Sequence, residues 1–369
     1  MNLFNCRSPY IIRVDGDSAQ VATKLELFIW KIGDTEPSTP TKVIEKTKYS
    51  DTQYINYYNI SPFVYDLINT LAEPTFNFAY NVRFKTYYKT TGDWNLLNNT
   101  VLNSVNGYNA YNNPNYFLNT AVAILSNYGS KLDYINDGVG YMYPTIDYII
   151  DLSATPDDIS IKYTTLEFVE DHYETYYYNI DYINDGNIYA DRVTMVQNAT
   201  AGVIVNTNFK IQNGSGDVFF ECDLTPVCEA KFTPLSLQFV NRKGGKQQLT
   251  LYKNSTKTID VKASDYNTNT FTEGYPIYDQ NLGQKRIFNK NGTTMIKANT
   301  GWLNESENIN IQDIFLSESL ILTSANSDFA YGAVTLKSTS QLMKTHLNEK
   351  VINYELEFEV ASSLINNVV

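Results

Sequence analysis

Phe76-Asn77-Phe78-Ala79-Tyr80-Asn81-Val82-Arg83-Phe84-Lys85-Thr86-Tyr87-Tyr88 decides the fold class. Phe76, Phe78, Tyr80, Val82, Phe84, Thr86 and Tyr88 fall on every second residue, so a strand sets them all on one face. Gly92-Asp93 then turns the chain toward Trp94. Upstream, Leu25, Leu27 and Ile29 alternate with Glu26, Phe28 and Trp30, a second period-2 segment. Shorter strands are expected over 10–14, 43–49 and 54–58, punctuated by Asp15-Gly16-Asp17 and by Glu36-Pro37-Ser38-Thr39-Pro40. Ser61-Pro62 offers an N-cap with Pro at the first helical position, opening a short helix that carries Phe63, Val64, Leu67 and Ile68. Residues 1–98 therefore read as an immunoglobulin- or fibronectin-like β-sandwich.

Composition points the same way. The 369 residues include 30 Tyr and 18 Phe but only 2 His, and 28 Lys+Arg face 40 Asp+Glu, for a net charge of −12. Aromatic and β-branched residues suit pleated surfaces, and amide residues suit turns. Two distant histidines leave little for imidazole catalysis or a His-rich metal site. A surface this acidic, with no Lys/Arg-rich run, argues against nucleic acid as a partner. The opening Met1-Asn2-Leu3-Phe4-Asn5-Cys6-Arg7-Ser8-Pro9 lacks the basic and apolar regions of a signal peptide, and no run of about 18 apolar residues occurs. The expectation is assembly in a cytoplasm, with no membrane partner. Cys222 and Cys228 read as small half-buried hydrophobes on neighbouring strands, because a disulfide needs an oxidising compartment and zinc needs further ligands.

Residues 99–145 change character: Asn98, Asn99, Asn103, Asn106, Asn109, Asn112, Asn113 and Asn115 interleave with Tyr108, Tyr111 and Tyr116. This reads as a long exposed excursion, with a possible helix over 118–128 stopped by Gly129. A second β-sandwich is expected over 146–229, with strands at 146–152, 159–169, 172–180, 193–197, 203–211 and 218–223. The hexapeptide Asp-Tyr-Ile-Asn-Asp-Gly occurs at 133–138 and again at 181–186. A Ca²⁺ loop needs spaced oxygen ligands followed by a Glu in register, which neither copy has; a strand end feeding an Asp-Gly turn needs nothing more. A C-terminal β domain follows over 230–369. Strands at 235–240 and 247–252 flank Arg242-Lys243-Gly244-Gly245-Lys246, a hairpin with a basic, solvated tip, and 257–262 adds another strand. A helix is expected over 305–316 with Ile309, Gln312 and Leu316 on one side. In the last strand, Ile352, Tyr354, Leu356, Phe358 and Val360 line one face; Asn353, Glu355, Glu357 and Glu359 line the other. The fold class is thus mainly β: several immunoglobulin- or fibronectin-like modules with one or two short helices.

Enzyme templates find no match. The chain has no Walker loop, no strand-linked Gly-x-Gly-x-x-Gly and no His-Glu-x-x-His, and Gly214-Ser215-Gly216 lacks the outer spacing of a nucleophile elbow. His172 and His346 read as ordinary strand or surface residues. Glycoside hydrolysis needs only two carboxylates at a suitable separation, which a sequence does not display. The reading assigns no catalytic residue, no metal ligand and no cofactor-binding residue.

Three C-terminal segments resemble structural proteins of tailed bacteriophages, including the crAss-like group. They are residues 239–256, from Phe239-Val240-Asn241-Arg242-Lys243-Gly244-Gly245-Lys246 through Asn254-Ser255-Thr256; Asn299-Thr300-Gly301-Trp302-Leu303 continuing to Leu316-Ser317-Glu318-Ser319-Leu320; and Ile352-Asn353-Tyr354-Glu355-Leu356-Glu357-Phe358-Glu359-Val360 with Ile365-Asn366-Asn367. The opening, from Ser8-Pro9-Tyr10 through Asp66-Leu67-Ile68, resembles such proteins more loosely. The resemblance carries no catalytic residue. It implies a virion structural protein, expected as the subunit of a tail ring, collar or baseplate-type assembly formed in the host bacterial cytoplasm. Its expected partners are further copies of itself in a cyclic oligomer and other tail or portal-proximal virion proteins. The 99–145 excursion and the acidic C-terminal strand are the expected contact elements. The alternative is a head or tail fibre or adhesin that binds host-surface glycans.

Overall fold

A computed structural model describes residues 3–48, 54–70, 79–108, 122–128, 131–136, 141–142, 144–151, 159–167, 172–179, 188–195, 204–227, 232–268, 271–272, 275–278, 283–324, 332–338, 340–343 and 352–364. The protein is mainly β. Its contacts divide into two compact units: Met1–Cys228 with Gln238–Gln248 and Asn310–Glu318, and Glu229–Leu237 with Leu249–Ile309 and Ser319–Val369. The first unit thereby includes residues on both sides of the positions expected to separate 1–98, 99–145 and 146–229.

The first unit opens with strands β1 (Leu3–Asn5), β2 (Ile11–Val14), β3 (Ala22–Lys31), β4 (Lys42–Thr47) and β5 (Asn56–Asn59), helix α1 (Ser61–Thr70), and strands β6 (Ala79–Lys89) and β7 (Trp94–Val105). Five of the strands form a sheet in the order β1-β7-β6-β3-β4, and β2 pairs with β5 in a separate ribbon. Alternation explains the layering. Leu25, Leu27, Ile29, Tyr80, Val82 and Phe84 bury one face of the sheet, and Ile12, Val14, Tyr58, Val64 and Ile68 of the ribbon and α1 join them in one core. Each such side chain contributes about 1.5–3 kcal/mol. Phe76 and Phe78 lie outside the described residues. Ser61 does not take the expected capping role: its hydroxyl donates to the Ser8 carbonyl at 2.5 Å and accepts from the Tyr10 N–H at 2.9 Å. Instead the Ile60 carbonyl accepts from the Phe63 and Val64 N–H groups, and the Asn59 side chain accepts from the Ser61 N–H at 3.3 Å.

Next come β8 (Val122–Ile124), β9 (Lys131–Asn136), β10 (Tyr141–Met142), β11 (Thr145–Asp151), β12 (Ser160–Glu167), β13 (His172–Asn179), β14 (Ile188–Thr194), β15 (Ile204–Gln212) and β16 (Val218–Val227). A six-stranded sheet, β10-β9-β16-β15-β12-β13, packs on a three-stranded sheet, β14-β11-β8. Tyr134, Ile161, Phe209, Ile211, Cys222 and Leu224 meet Val122, Ile146, Tyr148 and Ile150 between them. The opposite faces of β8 and β11 bury Ala123 and Ile149, which cluster with Leu3, Ala79, Val105 and Leu125. Strand β11 is therefore buried on both faces, Asp147 included.

This arrangement corrects the exposed excursion expected over 99–145. Asn99 to Val105 complete β7, and Leu102, Asn103, Ser104 and Val105 are buried. Val122–Ile124 is a strand, not the helix expected over 118–128. Asparagines suggested loops, but Asn98, Asn99 and Asn103 lie within β7, and Asn103 is buried together with Leu102, Ser104 and Val105. Residues 109–121 and the second hexapeptide, 181–186, lie outside the described residues; the first hexapeptide ends β9, with Tyr134 buried. The strand expected at 193–197 runs earlier, over Ile188–Thr194, where it pairs along all of β11.

The remaining elements are β17 (Leu235–Val240), β18 (Lys246–Leu251), β19 (Ser255–Asn267), β20 (Phe271–Thr272), β21 (Tyr275–Tyr278), β22 (Lys285–Asn299), a 3₁₀ turn at Glu305–Glu307, α2 (Asn308–Leu316), β23 (Leu320–Ser324), β24 (Gly332–Leu336) and β25 (Glu355–Val360). Seven strands form one sheet, β18-β17-β23-β24-β25-β22-β19. The division into units cuts β17 between Leu237 and Gln238 and β18 between Gln248 and Leu249. Within the second unit Leu235, Leu237, Leu251, Ile296, Ala298, Leu320, Leu322, Val334, Leu356 and Phe358 are buried.

Cys6 and Cys222 are free and buried, and burial pushes each thiol up to about 12. Cys222 lies within β16, and Cys228, just beyond that strand, is outside the described residues. The thiolate is the reactive form. Iodoacetamide treatment of the native protein at pH 8, read by peptide mass mapping, is therefore expected to leave Cys6 and Cys222 unmodified. Rapid labelling of either would contradict the packing around it.

Candidate functional site

The hairpin between β17 and β18 does not carry the solvated basic tip expected from Arg242-Lys243-Gly244-Gly245-Lys246. Residues 238–248 belong to the first unit, and Asn241, Gly244, Gly245 and Gln247 are buried. The Asn241 side chain donates to the Leu125 carbonyl at 2.8 Å and accepts from the Lys243 and Gly245 N–H groups. Gln247 donates to the Asn127 carbonyl at 2.9 Å and to the Asn310 side-chain oxygen at 3.1 Å. Gly244 has φ +86, and a Cβ there would lie 2.7 Å from Asn106 backbone atoms; one on Gly245 would lie 2.7 Å from the Leu125 Cβ. The two glycines let the tip approach where side chains would be blocked.

Two buried carboxylates hold this tip. Asp313 of α2 is fully buried; its Oδ1 accepts from Arg242 Nε at 2.9 Å and from the Tyr108 hydroxyl at 2.8 Å. Burial and the Asp313 carboxylate together push the Tyr108 phenol up. Asp147 is also fully buried, and the β11–β14 register sets Arg192 directly opposite it. The guanidinium donates to both Asp147 oxygens at 2.5 and 2.7 Å, and the Lys246 N–H adds a bond at 2.8 Å. Burial pushes the Asp147 carboxyl up, and the Arg192 guanidinium opposes that shift. A buried carboxylate persists when paired and hydrogen-bonded in this way, so the constellation is architectural. The helix face differs from expectation for the same reason: Asn310, Ile311, Asp313 and Ile314 are buried, whereas Gln312 and Leu316 are exposed. Ile311 and Ile314 are buried beside Asp313, whose carboxylate is compensated by Arg242 and Tyr108.

The C-terminal strand has the expected facing, with Ile352, Tyr354, Leu356 and Phe358 buried. It lies between β24 and β22, so both of its backbone edges are occupied. Its acidic side is partly matched within the unit: Glu359 lies 2.7 Å from Lys337, whose bond and charge hold that carboxyl down, and Glu355 lies 3.8 Å from Lys297.

Glu355 also borders a cleft of 410 Å³ lined by Phe232, Lys253, Asn254, Asn299, Trp302 and Asn353, among others. Trp302 is 56% exposed, yet its loop is firmly tied. Leu303 and Ile352 exchange backbone hydrogen bonds at 2.7 and 2.8 Å, the Thr300 N–H donates to the Tyr354 carbonyl at 2.9 Å while the Tyr354 N–H donates to the Thr300 hydroxyl at 3.0 Å, and the Trp302 N–H donates to the Tyr252 hydroxyl at 3.2 Å. Gly301, at φ +76, is needed there, since a Cβ would lie 2.3 Å from the Tyr252 ring.

Strands β19 and β22 form the other open feature. Among the described residues β22 pairs with β25 only from Met295 to Asn299, whereas its pairing with β19 continues to Lys285. The outer part is a two-stranded arm with Ile259, Val261, Tyr266, Ile287 and Phe288 exposed. An isolated two-stranded ribbon is marginally stable in water. Its register steps from Ser264↔Asn289 to Asp265↔Ile287, so Phe288 is the extra residue of a β-bulge, 79% exposed. The sequence signal for this arm was a strand at 257–262, half its length; neither Phe288 nor Trp302 stood out.

The described residues contain no cluster of three or more His, Cys, Asp or Glu able to hold a metal ion. No helix among them is long and apolar enough to cross a membrane. His172 lies on β13, His346 is outside the described residues, and Gly214–Gly216 falls in the turn between β15 and β16. No protein-family model matches the chain, and a search of curated proteins found no match.

Proposed function

We propose that this chain is a structural protein of a tailed-phage virion, a subunit of a tail ring, collar or baseplate-type assembly whose work is protein–protein contact. The observation that carries the reading is the β19–β22 arm, which presents aromatic and aliphatic residues along a ribbon whose outer strand β19 ends its sheet among the described residues. Edge strands and exposed apolar side chains are what a repeated subunit offers its neighbours. The buried Asp147–Arg192 and Asp313–Arg242 pairs, both within the first unit, tie the 242–246 hairpin tip to β11 and α2. The sequence resemblance of residues 239–256, 299–320 and 352–367 supplies the phage context. The glycan-binding fibre reading draws on one observation, the Trp302 indole beside Asn254, Asn299 and Asn353, a lining that suits a sugar ring.

Antibodies against the purified chain are expected to label the tail region of gradient-purified particles by electron microscopy. Mass spectrometry of the same particles is expected to find the chain at a stoichiometry of many copies. A chain absent from the purified particles would end the proposal.

A further inference from the structure

Strand β19 ends its seven-stranded sheet among the described residues, and residues 256–267 along it are all exposed. Proteins blunt such an edge by shortening it, by placing Pro or a bulge on it, or by loading it with Lys. Strand β19 runs thirteen residues with no Pro and no Gly, and the bulge sits on β22 instead. Its two lysines, Lys257 and Lys262, are matched by Asp260 and Asp265.

The order of those charges identifies the partner. Read outward from Val261 in either direction, the strand is chemically palindromic. In an antiparallel pair of two copies centred there, Asp260 stands opposite Lys262 of the second copy and Lys257 opposite Asp265, each twice by symmetry. Thr258 meets Ser264, and Ile259 meets Ala263. Sliding the pairing by two residues sets Asp260 against Asp260, or Lys262 against Lys262, and like charges directly opposite are destabilising. A slip of one residue sets the two apolar faces on opposite sides of the sheet. The register at Val261 is the one that satisfies both.

Apolar side chains agree with that register. Ile259, Val261 and Ala263 share one face, with Ile259 and Val261 more than half exposed. A Cβ on Gly292, opposite Val261 on β22, would lie 3.1 Å from Leu364 Cδ1 and 3.7 Å from Ile259 Cγ2, so the exposed Leu364 extends the same patch. A two-fold axis at Val261 joins two such patches into one.

The remaining charges do not oppose the contact. Asp260 and Lys262 feel Lys337 and Glu359 of their own chain, but those two are bonded to each other at 2.7 Å. Asp265 has Lys285 at 2.7 Å through one carboxylate oxygen, and Lys257 of the second copy approaches the other. The basic residues of β22, Lys285, Arg286, Lys290 and Lys297, lie three strand spacings from the second copy's β22. That is about 14 Å, beyond the screening length of about 8 Å in physiological salt.

We infer that β19 pairs antiparallel with β19 of a second copy about a two-fold axis at Val261, joining two seven-stranded sheets edge to edge. The contact is isologous and closes at two copies. The inference rests on the reading of the β19–β22 arm as a contact surface; particle labelling tests virion membership separately, so the two can fail independently.

The test uses the full chain in sedimentation velocity, with thermal melting at low concentration as the folding control. The wild type is expected to dimerise. Asp260→Lys and Lys262→Asp each turn two opposite pairs into two like pairs, and each should weaken dimerisation about tenfold or more. Both positions are exposed, so melting should be unchanged. The decisive sample is the mixture of the two variants, which restores opposite charges at both positions and should give a 1:1 heterodimer. The double variant Asp260→Lys, Lys262→Asp should again dimerise with itself. Cysteines read the register, because directly opposite Cα atoms stand about 4.5–5.5 Å apart, within disulfide reach. Val261→Cys should crosslink to itself on mild oxidation. Ile259→Cys and Ala263→Cys should not crosslink alone, but should do so when mixed. A wild type still monomeric at about 100 µM, charge reversals without effect, a mixture that fails to pair, or self-crosslinking at 259 or 263 in place of 261 would overturn the inference.

Discussion

Replacing Leu356 and Phe358 together by Asp is expected to leave the second unit unfolded. Both side chains are fully buried in β25; Leu356 stands opposite Ala298, and Phe358 stands opposite Ile296 on one side and Leu336 on the other. Losing their burial costs about 1.5–3 kcal/mol each. Placing two carboxylates among apolar neighbours, with no cation to pair them, adds several kcal/mol apiece. The sum is comparable to the whole stability of an ordinary domain, about 5–15 kcal/mol. Limited proteolysis should cut within 249–309 and 319–369 while residues 1–228 stay protected. A soluble double variant with unchanged melting and an unchanged digestion pattern would refute the central position of β25.

Asp313→Ala is expected to lower stability by about 3 kcal/mol, toward the low end for breaking a buried ion pair, because Arg242 keeps some access to water. For a folding unit of this size that corresponds to a melting shift of about 6–12 °C. The variant removes the acceptor shared by the Arg242 guanidinium and the Tyr108 hydroxyl, leaving both donors without that partner. Tyr108→Phe removes only one of those bonds and is expected to cost about 1 kcal/mol. The double variant Asp313→Leu, Arg242→Met should recover much of the loss, since a buried pair replaced by apolar side chains is often neutral. Thermal melting followed by circular dichroism reads all three. A loss below about 1 kcal/mol for Asp313→Ala would show that the carboxylate does not hold the hairpin tip.

Much of the strand pattern was legible because alternation is local. The seven-residue run ending at Tyr88 and the final acidic strand needed only period-2 facing, and both assignments hold over the described residues. The Asn-rich segment misled because composition reports what a residue prefers on average, whereas Asn103 is buried and hydrogen-bonds Asn81 across the β6–β7 pair at 2.9 Å. Arg242-Lys243-Gly244-Gly245-Lys246 misled more deeply. Its charges and glycines predict a turn correctly, but they do not say whether the turn meets water or Asp313.

The candidate contact features divide in the same way. A strand at 257–262 was visible, because Lys257–Lys262 carries its own pattern. That β19 is the outer strand of its sheet, that β22 outruns β25, and that Phe288 is the unpaired residue of a bulge all depend on partners far away in sequence. By itself the sequence indicated many of the strands from local alternation, together with the helices opening at Ser61-Pro62 and near residue 305. Tertiary structure alone decided which strand ends a sheet, which charges are buried with a partner and which aromatics face water. Side-chain periodicity is set within a few residues, whereas burial and edge position are set by neighbours that the chain reaches only after folding.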